Sequence, residues 1–148
     1  MNADVRPAAA PPRPPSPKDR KSLLLVDPQS LFRRTVALVA RDLDLAYIRE
    51  ASSHDAASRL LDEHPFDGLL LDIEDTLSGY SLVQRVRTGA TRSDQAMPIV
   101  LTAASCDAST IAFFKPMAVQ RIMLKPFKVK TVLEVISALA APGGTAAP

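Results

Sequence analysis

Three short runs of this chain leave little freedom in how it folds. Leu23–Val26, Gly68–Leu71 and Ile99–Leu101 are nearly unbroken apolar stretches of strand length. A strand that faces water on one side alternates apolar and polar residues; a run without alternation is covered on both faces. Each run then ends on a polar residue: Asp27, Asp72 and Thr102. A fourth run, Ile122–Leu124, ends on Lys125, followed by Pro126 and Phe127.

Between the runs the period changes from strand to helix. Strands are predicted at 22–26, 46–49, 67–71, 98–102 and 121–124. In 30–42, Leu31, Thr35, Leu38 and Val39 share a helical face. Ala57, Leu60 and Leu61 do so in 53–64, with Ser52 or Ser53 as the cap. A third helix carries Leu82, Val83 and Val86 over 78–86, and a fourth covers Ala108–Phe114 and stops before Pro116. The last, 128–141, sets Val129, Val132, Leu133, Ile136 and Leu139 on one stripe. Five βα repeats imply an α/β fold with right-handed crossovers, a doubly wound five-stranded parallel sheet in the order 2-1-3-4-5. In such a sheet the four polar strand ends meet along one edge, just outside the carboxyl ends where ligands bind. Two carboxylates, a hydroxyl and an ammonium there suit phosphoryl chemistry.

At 148 residues, 47% of them apolar and 23% charged, the chain has the material for one soluble domain. The formal charge of +2 is unevenly placed. Residues 1–22 hold Arg6, Arg13, Lys18, Arg20 and Lys21 against Asp4 and Asp19, leaving the rest slightly acidic. A basic balance confined to a tail does not mark a nucleic-acid partner. Residues 1–20, rich in Pro and Ala, are predicted to be a disordered tail, with docking to an aromatic groove as the alternative role; 142–148 form a second loose end and 21–141 the domain. No apolar stretch approaches a membrane span and no secretory signal is present, so a cytoplasmic location and no membrane partner are expected. Cys106, alone, reads as a structural thiol. His54 and His64 read as solvated helix residues away from the strand ends.

With these runs in place, the chain resembles the receiver domain of bacterial two-component response regulators, the CheY-like, flavodoxin-like three-layer sandwich. Leu24-Leu-Val-Asp27 resembles that family's first-strand acidic site. Phe66-Asp-Gly-Leu-Leu-Leu-Asp72 resembles its third strand and phospho-accepting aspartate. Pro98-Ile-Val-Leu-Thr102-Ala103 looks like the fourth strand with its hydroxyl, and Leu124-Lys125-Pro126-Phe127 like the end of the fifth. The likeness covers about residues 21–140. It implies that Asp72 attacks the phosphorus of a phosphohistidine on a histidine kinase or histidine phosphotransfer protein. It also implies that Lys125 holds phosphoryl charge, and that Thr102 donates its hydroxyl to the phosphate. Asp27, Asp72 and the backbone carbonyl of Glu74 would hold Mg²⁺. The Lys125–Pro126 bond would be cis.

Four departures from the family pattern carry expectations of their own. Asp27 is followed by Pro28 where a second acid is usual, so Mg²⁺ affinity should fall unless Glu74 or Asp75 supplies a carboxylate. Thr76 replaces a proline and Gly79 comes one residue early, tightening the loop after Asp72. Ile122 stands where a Tyr or Phe often switches position. No output domain follows the last helix. The resemblance therefore implies a single-domain response regulator that docks an unidentified downstream protein through 107–127 and 128–140, a homodimer staying open. Pro28 and Ile122 motivate a second reading, a pseudo-receiver that binds partners without phosphorylation. A third rests on Asp72-Ile-Glu-Asp-Thr76-Leu77, which looks like the nucleophile motif of haloacid dehalogenase-like phosphatases.

Overall fold

Alternating strands and helices close into one twisted sheet with helices on both faces, in a computed structural model that describes residues 20–141. Of the expected tails, 1–20 and 142–148, all but Arg20 lie outside the described residues, and Arg20 pairs with Asp44. The elements are β1 (Ser22–Val26), α1 (Ser30–Asp42), β2 (Tyr47–Ala51), α2 (His54–Glu63), β3 (Gly68–Asp72), α3 (Thr76–Arg87), β4 (Ile99–Ala103), α4 (Ala108–Phe114), β5 (Arg121–Leu124) and α5 (Val129–Ala140). A short 3₁₀ turn, Lys115–Met117, links α4 to β5. All four strand pairings are parallel and the order is β2-β1-β3-β4-β5, as the alternating pattern implies.

Side-chain alternation splits the apolar runs between two cores. Leu24, Val26, Leu69, Leu71, Ile99 and Leu101 face α2, α3 and Phe114 of α4. Leu23, Leu25, Leu70 and Val100 face α1 and α5, where they meet Val36, Val132 and Ile136. Each of these strand leucines is almost fully removed from water, contributing about 1.5–3 kcal/mol. The central strands β3 and β4 are buried at every residue. The edge strand β2 is not: Tyr47 and Arg49 are exposed, and its end, Ala51, lies beyond the predicted boundary at 49.

The helix ends follow from local chemistry. Ser53 caps α2 by accepting from the Ala56 N–H (3.1 Å), Asp75 caps α3 through the Ser78 N–H (3.1 Å), and Asp107 caps α4 through the Thr110 N–H (2.9 Å). With Asp75 as cap, α3 starts at Thr76, two residues before its predicted start, and only Ile73, Glu74 and Asp75 separate it from β3. The early Gly79 fits this short loop. A Cβ there would lie 2.8 Å from Cγ2 of the buried Ile73.

Candidate functional site

Residues two apart on a strand share a face. Asp27 follows Leu25, Asp72 follows Leu70, Thr102 follows Val100, and Lys125 follows Met123. Those four apolar residues all belong to the core beneath α1 and α5. The four polar groups are thus the next layer of that face, carried past the last apolar layer at the carboxyl edge of the sheet. The register confirms their proximity, pairing Asp72 with Thr102.

Asp27, Asp72 and Thr102 are buried, each under 5% exposed. Buried carboxylates need partners. The Lys125 ammonium supplies one to both: it contacts Asp72 Oδ2 and lies 3.1 Å from Asp27 Oδ2. Burial pulls the Lys125 pKa down, but hydrogen bonds and charge from Asp72 and Asp27 outweigh it and hold it above the ordinary value. Asp27 Oδ1 accepts from the Gln29 N–H (2.8 Å) and Asp72 Oδ1 from the Glu74 N–H (2.9 Å), which fixes both carboxylates. The Arg33 guanidinium donates to the Asp27 carbonyl (2.6 Å) and pairs with Glu50, tying α1 to the site. The Lys125–Pro126 bond is cis, and Phe127 beyond it meets Phe32 of α1 edge-on at 5.7 Å between centroids.

Beside Asp72 an open cleft of about 390 Å³ is lined by Val26, Pro28, His54, Glu74 and Ser78 among others. The donors reaching this edge are carboxylate and carbonyl oxygens, the hard ligands Mg²⁺ takes, and Mg²⁺ keeps several waters that an open cleft can admit. Among the described residues no three His, Cys, Asp or Glu side chains cluster to form a complete metal cage. Two buried side chains, Asp27 and Asp72, are the carboxylates at this edge that could hold such an ion. Asp75 lines the same cleft, with its Oδ1 accepting the Ser78 N–H as the cap of α3. The Glu74 side chain is exposed.

One group at this cleft escaped the sequence reading. His54 is not a solvated residue away from the site. Its Nε2 lies 2.6 Å from the Asp72 carbonyl oxygen and its Nδ1 2.6 Å from Ser78 Oγ. Ile122 is half-buried against the α2–α4 core.

Comparison with known proteins accords with this geometry. The model of the response regulator receiver domain matches residues 23–137. Solved structures with the same fold include chemotaxis protein CheY4 of Vibrio cholerae (20% identity, TM-score 0.67, covering 79% of this chain and 96% of that one). A CheY-like receiver domain protein from Methanospirillum hungatei aligns at 16% identity and TM-score 0.68, covering 79% and 90%. A response regulator from Burkholderia pseudomallei, solved with a phosphorylated aspartic acid, calcium ion and citrate, aligns at 21% identity and TM-score 0.62, covering 81% of this chain and 68% of that one. Comparison with curated protein sequences finds no match. With its four strand-end groups assembled at one sheet edge and its length matched from 23 to 137, the chain belongs to the response regulator receiver domain family.

Proposed function

We propose that Asp72 accepts a phosphoryl group from a phosphohistidine on a histidine kinase or histidine phosphotransfer protein, and that the domain then signals by docking a downstream protein. The observation that carries this reading is the Lys125 ammonium set against both Asp27 and Asp72. Attack by a carboxylate on a phosphoryl group brings anion against anion, so the site must supply positive charge without losing the nucleophile. Lys125 is a fixed cation at that point, and the pairing of Thr102 with Asp72 across the register supports a role for its hydroxyl as donor to a phosphoryl oxygen. Asp27, Asp72 and the Glu74 carbonyl would hold Mg²⁺, which neutralises further phosphoryl charge when bound. Ile111, Phe113 and Leu124 are exposed within 107–127 and suit docking of a partner there.

Incubation with Mg²⁺ and a small phosphodonor should add one phosphoryl mass to the wild type and none to Asp72→Asn. Thr102→Ala should form the adduct more slowly. An adduct that persists in Asp72→Asn, or none from either a small donor or a kinase, defeats the reading. The phosphatase reading is left without support, since the receiver model matches residues 23–137.

A further inference from the structure

The missing N–H at Pro28 has a consequence for the backbone of Asp72. The Asp27 N–H donates to Ala51 of β2 (3.1 Å). Successive residues of a strand in a sheet direct their backbone groups to opposite neighbours, so the N–H of residue 28 would turn toward β3. The β1–β3 register sets Val26 beside Leu71, and one step further the parallel ladder would close from the residue-28 N–H onto the Asp72 carbonyl. Proline has no such N–H. Asp72 is 4% exposed, so its carbonyl needs a donor from within the protein.

The His54 imidazole stands at that oxygen, 2.6 Å away through Nε2. A carbonyl only accepts, so Nε2 carries the proton. In the neutral ring Nδ1 then accepts from the Ser78 hydroxyl at 2.6 Å. The ring thereby ties the first turns of α2 and α3 to the end of β3.

We propose that His54 is a positioning residue for the Asp72 acceptor, supplying the backbone hydrogen bond that Pro28 removes from the β1–β3 ladder, with Ser78 fixing its tautomer. Its effect on chemistry rests on Asp72 being the phospho-acceptor; its effect on the backbone does not.

A double-mutant cycle tests it, because a merely structural histidine would not depend on residue 28. In the wild type, His54→Leu should raise the unfolding equilibrium constant about tenfold or more, as expected for an unsatisfied buried carbonyl. In a Pro28→Ala background, where the N–H is restored, the same change should cost less than about threefold. Equal losses in both backgrounds overturn the proposal. Should His54→Leu fail to fold alone, a folded double variant supports the proposal and an unfolded one overturns it. Imidazole ¹⁵N NMR of the wild type should show the Nε2–H tautomer; an Nδ1–H tautomer overturns the assignment. The rate of adduct formation from an acyl phosphate should fall about tenfold in His54→Leu and recover in the double variant; an unchanged rate overturns the positioning role. No adduct in the wild type would count against the proposed function, and the unfolding cycle and NMR would still decide the role of His54.

Discussion

Lys125 Nζ lies 3.1 Å from Asp27 Oδ2 while also contacting Asp72. One cation thus balances two buried carboxylates at the end of the sheet, and its removal leaves them facing each other. Lys125→Gln should lower stability at pH 7 by about 1–3 kcal/mol, less than for a fully buried pair because the lysine is partly exposed. The pKa of Lys125 is raised above its ordinary 10.5. A raised folded-state pKa means that this stabilisation is complete below 10.5 and is lost as pH rises through the raised value. Denaturant unfolding of both proteins across alkaline pH should show the gap closing only above 10.5. A gap that closes at lower pH contradicts the pairing.

Position 28 should limit Mg²⁺ binding. Pro28→Asp adds a carboxylate beside Asp27 and should tighten Mg²⁺ roughly tenfold. Pro28→Ala restores the backbone N–H without a charge and should leave the affinity within about twofold. Titration calorimetry with Mg²⁺ on the three proteins separates the two effects. Equal affinities for wild type and Pro28→Asp would remove the argument that Pro28 weakens the site.

Gly79 lies inside α3, where alanine is intrinsically better by about 1 kcal/mol. Packing reverses that preference. The added Cβ would sit 2.8 Å from Ile73 Cγ2, a branch held close to the backbone in a residue only 2% exposed. Gly79→Ala should therefore destabilise by about 1–3 kcal/mol in urea unfolding. A stabilised variant would show that the loop after Asp72 can shift freely.

Arg87, at the last turn of α3, holds the far end of the same helix. Its guanidinium donates to the carbonyls of Met117 (2.7 Å), Gln95 (2.8 Å) and Met97 (2.7 Å). Burial lowers its pKa, opposed by Asp94. Arg87→Met should cost about 2–4 kcal/mol, since it leaves several carbonyls without donors. Arg87→Lys should recover little of it, because an ammonium cannot span the same fork. Urea midpoints for the two variants test this.

The strands and helices were legible because burial on two faces writes itself into composition. Leu69–Leu71 and Val100–Leu101 are apolar without a break because both faces of their strands are buried. The edge strand β2 was placed less well: predicted to end at 49, it runs to Ala51, and Glu50 shows itself as strand only through its pairing with Leu25 of β1.

The sequence by itself determined the order of elements and the four strand-end groups, Asp27, Asp72, Thr102 and Lys125, because a parallel sheet must bring such ends to one edge. Only the tertiary structure decided how they are paired and what else reaches them. His54 begins a helix after the edge strand, 18 residues before Asp72 in the chain. Nothing in its local pattern marks it as a partner of that carbonyl. The signal lay at Pro28, whose missing N–H leaves an acceptor that something must satisfy. Hydrophobic periodicity records which residues are buried; it does not record which donor, among those far apart in sequence, completes a hydrogen bond that the chain itself cannot make.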